Sequence, residues 1–165
     1  MSEERRAILI ASSQFPAEPR LTPLRCPEND VEGLNRLLCS EVHGGYQEVV
    51  PLKNRAHHEV LRTINVTLRR AKKGDSVLIY YSGHGKLDLA GHLYLAAPDT
   101  EVEALESTSI PVATILHYIR LSSCKSVALI LDCCYSGAVA ESILRGNVEE
   151  QLQSVSSSGG IYVLT

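Results

Sequence analysis

Two unbroken runs of apolar, strand-forming residues constrain the fold of this 165-residue chain more than any other feature. They are SVLIYY at positions 76–81 and SVALIL at positions 126–131. A strand that is apolar at nearly every position is expected where helices cover both faces of a sheet, as they do around the central strands of parallel sheets. The two runs therefore predict two central, buried strands.

Patterns around these runs predict the rest of the architecture. Apolar residues at helical spacing alternate with further short apolar runs along the chain. The predicted elements, in chain order, are a strand at 6–12, a helix from Asn29, a strand at 47–52, a helix over 56–72, the strand at 76–81, a small hairpin that includes 93–96, a helix after Pro111 and the strand at 126–131. This order predicts an α/β fold in which helices cover both faces of a mainly parallel sheet. The last residues, GIYVLT, predict one more strand, so we expect the C-terminal strands of the domain to be truncated.

Length and composition limit the chain to a few classes of protein. With 165 residues, of which 44% are hydrophobic, it is long enough for one core, and we expect a single domain over residues 1–165. The net charge is -3 and the basic residues are scattered, so a nucleic-acid partner is not expected. No apolar stretch approaches the roughly 20 residues that span a bilayer, and the N-terminus lacks the apolar core of a signal peptide. We therefore expect a soluble, cytoplasmic protein with no membrane partner.

Residues that can carry chemistry follow both strands directly. SGHG occupies positions 82–85 and DCCYSG occupies positions 132–137. Because the carboxyl ends of neighbouring parallel strands meet at one edge of a sheet, we expect His84 near the thiols of Cys133 and Cys134. An imidazole that takes the proton of a thiol produces the reactive thiolate that nucleophilic catalysis needs. The residues alone leave two interpretations open: one thiol is a nucleophile, or both are small buried hydrophobic side chains beside a turn.

The glycines around His84 favour the catalytic interpretation. They would let the backbone turn tightly and let a substrate carbonyl approach without a Cβ in the way. The backbone N–H groups of Gly85 and Cys134 are then candidates for an oxyanion hole. A lone histidine between glycines is more often an ordinary turn residue, but a cysteine at the end of the neighbouring strand favours a shared site.

The two motifs, YYSGHG and LILDCCYSG, resemble those of the caspase-like cysteine peptidases, in particular the metacaspases and bacterial caspase homologues. His84 and Cys134 are separated by 50 positions, which is the separation typical of caspases. The resemblance also includes the NDVEGL helix start and extends over nearly the whole chain. It implies a caspase-like sandwich and a catalytic dyad formed by His84 and Cys134.

The family pattern also distinguishes the two thiols. In its D-x-C-x-S-G form the nucleophile is the cysteine two residues after the aspartate, and this position is Cys134 here. Cys133 then occupies the variable position, and we expect it to face the core. The chain departs from the metacaspase form at Tyr135, where a histidine is usual. This departure changes neither residue of the dyad.

The resemblance further implies an S1 pocket for an arginine or lysine at P1, the substrate residue before the scissile bond. The matching positions are Asp30, Ser82 and Asp132. Two carboxylates in a cleft would bind a guanidinium and repel an acidic P1 side chain. Asp30 has an alternative interpretation as an acid that complements the dipole of the first helix. If P1 is basic, Arg145 is a candidate self-cleavage site.

No cofactor and no metal site are predicted. Calcium activates many metacaspases, but Asp88 and Asp99 are too few to predict a calcium site, and we leave calcium activation open. His57 and His58 are adjacent on a predicted helix, where successive side chains do not face each other. The pair therefore does not predict a joint metal site.

These observations predict a cysteine endopeptidase that cleaves peptide or protein substrates after arginine or lysine. Bacterial caspase homologues are often fused to sensing modules, so the resemblance also allows a regulatory or sensing partner or a fused module. One alternative is a caspase homologue without catalytic activity that serves as a scaffold or regulatory domain. Another is a redox sensor that uses Cys133 and Cys134, although adjacent cysteines form a strained disulfide.

Overall fold

The computed structural model of the chain describes residues 3–135 and 161–164. Its strands are β1 (Arg5–Ala11), β2 (Glu48–Lys53), β3 (Ser76–Leu87), β4 (Leu93–Leu95), β5 (Ile110–Pro111), β6 (Ser126–Tyr135) and β7 (Ile161–Leu164). Its α-helices are α1 (Pro27–Cys39), α2 (His57–Arg70), α3 (Leu105–Thr108) and α4 (Val112–Leu121), and a 3₁₀ turn spans Val102–Ala104. In this described part of the chain, no helix is both long enough and apolar enough to cross a membrane.

One mixed sheet organises the fold. Five strands run parallel in the order β2-β1-β3-β6-β7. The short strand β4 pairs antiparallel with the end of β3, and β5 pairs antiparallel with β4. The mainly parallel α/β architecture predicted from the sequence is therefore confirmed, as is the small hairpin around β4.

Helices cover both faces of this sheet, as the unbroken apolar runs predict. Along β1, Ile8 and Ile10 pack on one face into a cluster that includes Ile64 of α2. Leu9 packs on the opposite face with Val31 of α1. These five side chains are at most 1% exposed, and burying one of this size contributes about 1.5–3 kcal/mol of hydrophobic free energy. Burial on both faces therefore explains the unbroken apolar run from Ala7 to Ala11.

The strands β3 and β6 are longer than the sequence predicts. The apolar runs end at positions 81 and 131, and the polar and glycine residues that follow predict loops. In the structure, parallel pairing continues until Gly85 lies opposite Tyr135. The hydrogen bonds and contacts of the continued ladder outweigh the low strand propensity of glycine and aspartate. The prediction that His84 occupies a turn after the strand is therefore wrong, because His84 lies inside β3.

Candidate active site

The register of β3 and β6 brings the two motifs side by side. Ser82 is paired with Asp132, and His84 is paired with Cys134. Neighbouring strands lie about 4.8 Å apart, so the backbones of His84 and Cys134 are adjacent at this edge of the sheet. The structure describes the backbone of Cys134. Use of the Gly85 and Cys134 amides as an oxyanion hole stays a prediction.

The loop that follows β1 holds the imidazole of His84. The Nε2 atom of His84 lies 2.8 Å from the carbonyl oxygen of Thr22. A carbonyl only accepts hydrogen bonds, so Nε2 carries the proton and donates it, which leaves Nδ1 of the neutral ring as an acceptor. The ring of Phe15 packs against the imidazole, with centroids 5.0 Å apart at an interplanar angle of 46°. The bond to Thr22 therefore defines the tautomer in which Nδ1 can receive a proton.

Sequence reasoning missed both of these contacts. Every residue type supplies a backbone carbonyl, so Thr22 carries no sequence signal of its role. Phe15 is the single phenylalanine of the chain and stands in a polar, proline-containing segment. That isolated aromatic residue is the signal that could have marked this loop as packed against the site.

Polar contacts fasten the same loop to the rest of the domain. The carboxylate of Glu18, which is 4% exposed, accepts hydrogen bonds from the guanidinium of Arg20 and from the backbone N–H of Val102. These bonds, above all those from Arg20, lower the pKa of Glu18 to about 2. At the start of the loop, Oδ1 of Asn54 accepts a hydrogen bond from the backbone N–H of Ser13 at 2.8 Å. The partners of His84 therefore sit in a loop with its own buried polar network.

Tyr81 and Gly83 fix the backbone at His84. The hydroxyl of Tyr81 lies 2.9 Å from the carbonyl oxygen of His84 and 2.8 Å from that of Ala96. Complete burial raises the pKa of Tyr81 well above its ordinary value, so the hydroxyl keeps its proton and donates. A Cβ at Gly83 would lie 2.6 Å from Cζ of Tyr81 and closer still to its hydroxyl oxygen. The close approach of this ring, and not a tight turn, is the reason for glycine at position 83.

The hydroxyl of Tyr80 interacts with all three predicted S1 residues. This hydroxyl donates to Oδ2 of Asp132 at 3.2 Å. Burial raises the pKa of Tyr80 to about 12; the nearby Ser82 hydroxyl lowers it in part, and the charges of Asp132 and Asp30 raise it. Asp132 is exposed, Asp30 is partly buried and Ser82 is buried. Two carboxylates and two hydroxyls thus lie near one another. In the sequence, Tyr80 stands in an apolar run and carries no sign of this contact.

The sequence also predicts the orientation of Cys133 and a self-cleavage site at Arg145. Cys133 packs against the core on the side of the sheet covered by α2 and α4, so the prediction that it faces the core is confirmed. Arg145, the predicted self-cleavage site, lies outside the described residues.

The structure corrects one prediction about metal ligands. The sequence predicts that His57 and His58 diverge, but their ring centroids lie 5.5 Å apart, and Asp99 comes close to both. Asp99 belongs to the segment after β4, so tertiary structure and not the helix brings the three together. Asp88, by contrast, accepts hydrogen bonds from two backbone N–H groups of the connection between β3 and β4.

The chain matches a known family model and known structures. A family model described as a caspase domain matches residues 4–160. The crystal structure of protein GSU0716 from Geobacter sulfurreducens aligns with a TM-score of 0.64 and 16% sequence identity, covering 93% of this chain and 65% of that one. At this identity the likeness concerns the fold, and this chain spans less than two thirds of the length of that protein. No curated protein sequence matched.

Proposed function

Since the chain belongs to the caspase-domain family of peptidases, we propose that it is a cysteine endopeptidase with Cys134 as nucleophile and His84 as general base. The observation that carries this proposal is the register of β3 and β6, which pairs His84 with Cys134. A base must come within hydrogen-bond reach of the proton that it removes, and neighbouring positions on paired strands favour such an approach. The carbonyl of Thr22 adds support, because it leaves Nδ1 of His84 as an acceptor.

In the proposed reaction, Nδ1 of His84 takes the proton of the Cys134 thiol, and the thiolate attacks the carbon of the scissile carbonyl. The carbonyl oxygen becomes an oxyanion, which accepts hydrogen bonds from the backbone N–H groups of Gly85 and Cys134. The imidazolium donates its proton to the leaving amine as the C–N bond breaks, which leaves a thioester on Cys134. A water molecule, deprotonated by His84, hydrolyses the thioester and restores the thiol. The carbonyl of Thr22 orients the ring and stabilises its positive charge, the part that a carboxylate plays in a catalytic triad.

The substrate residue at P1 is arginine or lysine in this proposal. The support is that the charges of Asp132 and Asp30 both act on the hydroxyl of Tyr80, and that Asp132 is paired with Ser82, two residues before His84 on β3. A guanidinium binds carboxylates bidentately, whereas an acidic side chain would be repelled there. Tyr80 donates to Oδ2 of Asp132, so it orients the carboxylate that would meet the substrate.

A panel of fluorogenic peptides that carry arginine, lysine or aspartate at P1 tests both parts of the proposal. We expect the wild type to hydrolyse the arginine and lysine peptides, and Cys134→Ala to lose about 10³-fold or more of that activity. Cys133→Ala is the matched control, because its thiol packs against the core, and it should keep most of the activity.

Each outcome of this panel has a distinct meaning. Hydrolysis that survives Cys134→Ala would refute the nucleophile, and cleavage of aspartate peptides alone would refute the pocket. A folded wild type that cleaves no peptide would favour the alternative of a scaffold without catalytic activity.

Self-cleavage after Arg145 follows from a basic P1 preference and is the final part of the proposal. Its support comes from the sequence, in which Arg145 and Gly146 follow the nucleophile. Intact-mass analysis of freshly purified protein should show a cut after Arg145 in the wild type and none in Cys134→Ala. Active wild type that remains uncut would contradict self-cleavage without affecting the dyad.

A further inference from the structure

A group of three metal-ligand side chains takes no part in the proposed peptidase reaction. His57 and His58 are the first two residues of α2, and Asp99 belongs to the segment that follows β4. One ligand atom from each of the three lies within 4.8 Å of the other two. Over the described ranges, no other set of three histidine, cysteine or acidic side chains comes together in this way.

The N-terminus of α2 orients the carboxylate of Asp99 toward the histidines. Its Oδ1 atom accepts a hydrogen bond from the backbone N–H of His57 at 2.9 Å, and its Oδ2 atom lies 2.6 Å from Nδ1 of His57. The ring of His58 stands nearly perpendicular to that of His57, at an interplanar angle of 84°. Two imidazoles and one carboxylate thus border a common volume.

We propose that His57, His58 and Asp99 bind a divalent transition-metal ion of the zinc class. Imidazole nitrogens together with a carboxylate oxygen suit Zn²⁺, whereas Ca²⁺ and Mg²⁺ prefer sets of oxygen ligands. The ion takes the place of the proton between Nδ1 of His57 and Oδ2 of Asp99, with His58 as the third ligand and water at the open position. This site does not depend on the proposed peptidase function.

Small movements of side chains are enough to close the site around an ion. Zinc–ligand bonds of about 2.0–2.2 Å place the ligand atoms of a tetrahedral site about 3.3 Å apart, compared with the present spread of up to 4.8 Å. His58 is exposed, so its ring can rotate toward the ion without disturbing the core. The hydrogen bond from the helix N–H holds the carboxylate of Asp99 in place, as outer contacts commonly do for metal ligands.

Two positive groups limit the affinity of this site. The N-terminus of α2 carries a partial positive charge, and Arg62 lines the same surface depression, of about 490 Å³, as the two histidines. We therefore expect a Kd for Zn²⁺ on the order of 1 μM, weaker than that of structural zinc sites with four protein ligands.

Metal binding would stabilise the segment beside the loop that holds His84. The carbonyl oxygen of Pro98 accepts a hydrogen bond from the backbone N–H of Ala17 at 3.4 Å. Ala17 lies in the same loop as Phe15 and Thr22, the two partners of His84. The ion would join α2 to a segment that contacts this loop, so its primary effect is on stability.

Calorimetric titration of Zn²⁺ into the full chain tests the site, in a Cys134→Ala background that removes the candidate nucleophile as a ligand. We expect one ion per chain and a loss of affinity of about 10-fold or more in both His58→Ala and Asp99→Asn. Zn²⁺ at about 100 times its Kd should raise the midpoint of thermal unfolding by about 5 °C or more. His43→Ala removes another exposed histidine and is the matched control, which should keep the affinity.

The decisive variant is His58→Ala. Asp99→Asn also weakens the start of α2, whereas His58→Ala leaves the bond between Asp99 and the helix intact. No binding of Zn²⁺ to the parent protein, or unchanged affinity in His58→Ala, would overturn the site. An equal loss in His43→Ala would also overturn it, because the ion would then bind elsewhere. Hydrolysis of peptides is not part of the measurement, so the result is independent of the peptidase proposal.

Discussion

The two halves of β3 and β6 share one backbone geometry and differ in their chemistry. The first halves, 76–81 and 126–131, are apolar and lie in the core between the helices. The second halves, 82–87 and 132–135, carry the glycines, histidine, cysteines and aspartate of the candidate site. One continuous parallel ladder joins the halves, from the pair Ser76 and Ser126 onward.

The packing of the first halves determines the alignment of the second halves. Close packing on both faces fixes the register of the first halves, because a slip of one residue would turn every side chain to the opposite face, where it would not fit its neighbours. The same register then continues into the second halves and aligns His84 with Cys134. The residues of the site therefore need little strand propensity of their own.

The largest effect is expected when the chemistry is removed and the core is left intact. His84→Ala should lower kcat/KM for an arginine peptide by about 10³-fold or more, because the general base is lost. The midpoint of thermal unfolding should change little, since the side chain is only partly buried. His117→Ala, at an exposed position on α4, is the control and should behave as the wild type. Full activity of His84→Ala would exclude His84 as the general base.

The converse change removes packing from a first half and leaves the chemistry in place. Leu129 is completely buried in β6, so Leu129→Ala should lower the free energy of unfolding by about 2–5 kcal/mol. Urea unfolding measures this loss, and kcat/KM per folded molecule should stay near the wild-type value. Leu121→Ala, at a position 70% exposed, should cost less than about 0.5 kcal/mol. If both variants lose the same stability, the first half of β6 does not carry the core.

A change at the junction of the halves should affect stability and activity together. The Cβ added by Gly83→Ala meets the ring of Tyr81, and such overpacking costs about 1–3 kcal/mol. Because Tyr81 holds the carbonyl of His84, we also expect kcat/KM to fall about 10-fold or more. Gly33→Ala is the matched control, since nothing besides its chain neighbours and the backbone of its own helix lies within 4 Å of the added Cβ, and alanine favours a helix. Unchanged kinetics in Gly83→Ala would show that Tyr81 does not position His84.

The smallest expected effect concerns the loop after β1, which contacts His84 through Phe15 and Thr22. The pKa of Glu18 is about 2 in the folded protein, below its ordinary value of 4.5, so its stabilisation is complete above pH 4.5 and is lost as the pH falls toward 2. The difference in thermal midpoint between the wild type and Glu18→Gln should therefore shrink over this range. Glu106→Gln, at an exposed position, should follow the wild type. A difference that stays constant with pH would contradict the ion pair.

Local patterns in the sequence predict the parts of the fold that depend on burial. Buried strands and helices impose their own periodicity on the chain, so the order of strands and helices can be predicted from the sequence. The sequence does not predict where β3 and β6 end, because the pairing of Gly85 with Tyr135 depends on contacts between segments far apart in the sequence. Strand propensity alone predicts that both strands end too early in the sequence.

The contacts of the functional atoms are harder to predict than the elements. Tyr80 and Tyr81 count as apolar members of a strand in the sequence, yet their hydroxyls bond to Asp132 and to the carbonyl of His84. Asp99 reaches His57 across 42 positions. Such contacts exist only in the tertiary structure, and no local pattern carries them.

The bond from His84 to Thr22 has a consequence for any genetic dissection of the site. Because the acceptor is a main-chain oxygen, no exchange of one amino acid for another at position 22 deletes it. An alanine scan would therefore score Thr22 as dispensable, and the bond would place no demand on the type of residue found there. Shortening the loop, or replacing the amide with an ester by chemical synthesis, would be needed to measure what this oxygen contributes. The partner of the histidine is encoded in the path of the chain and not in a side chain.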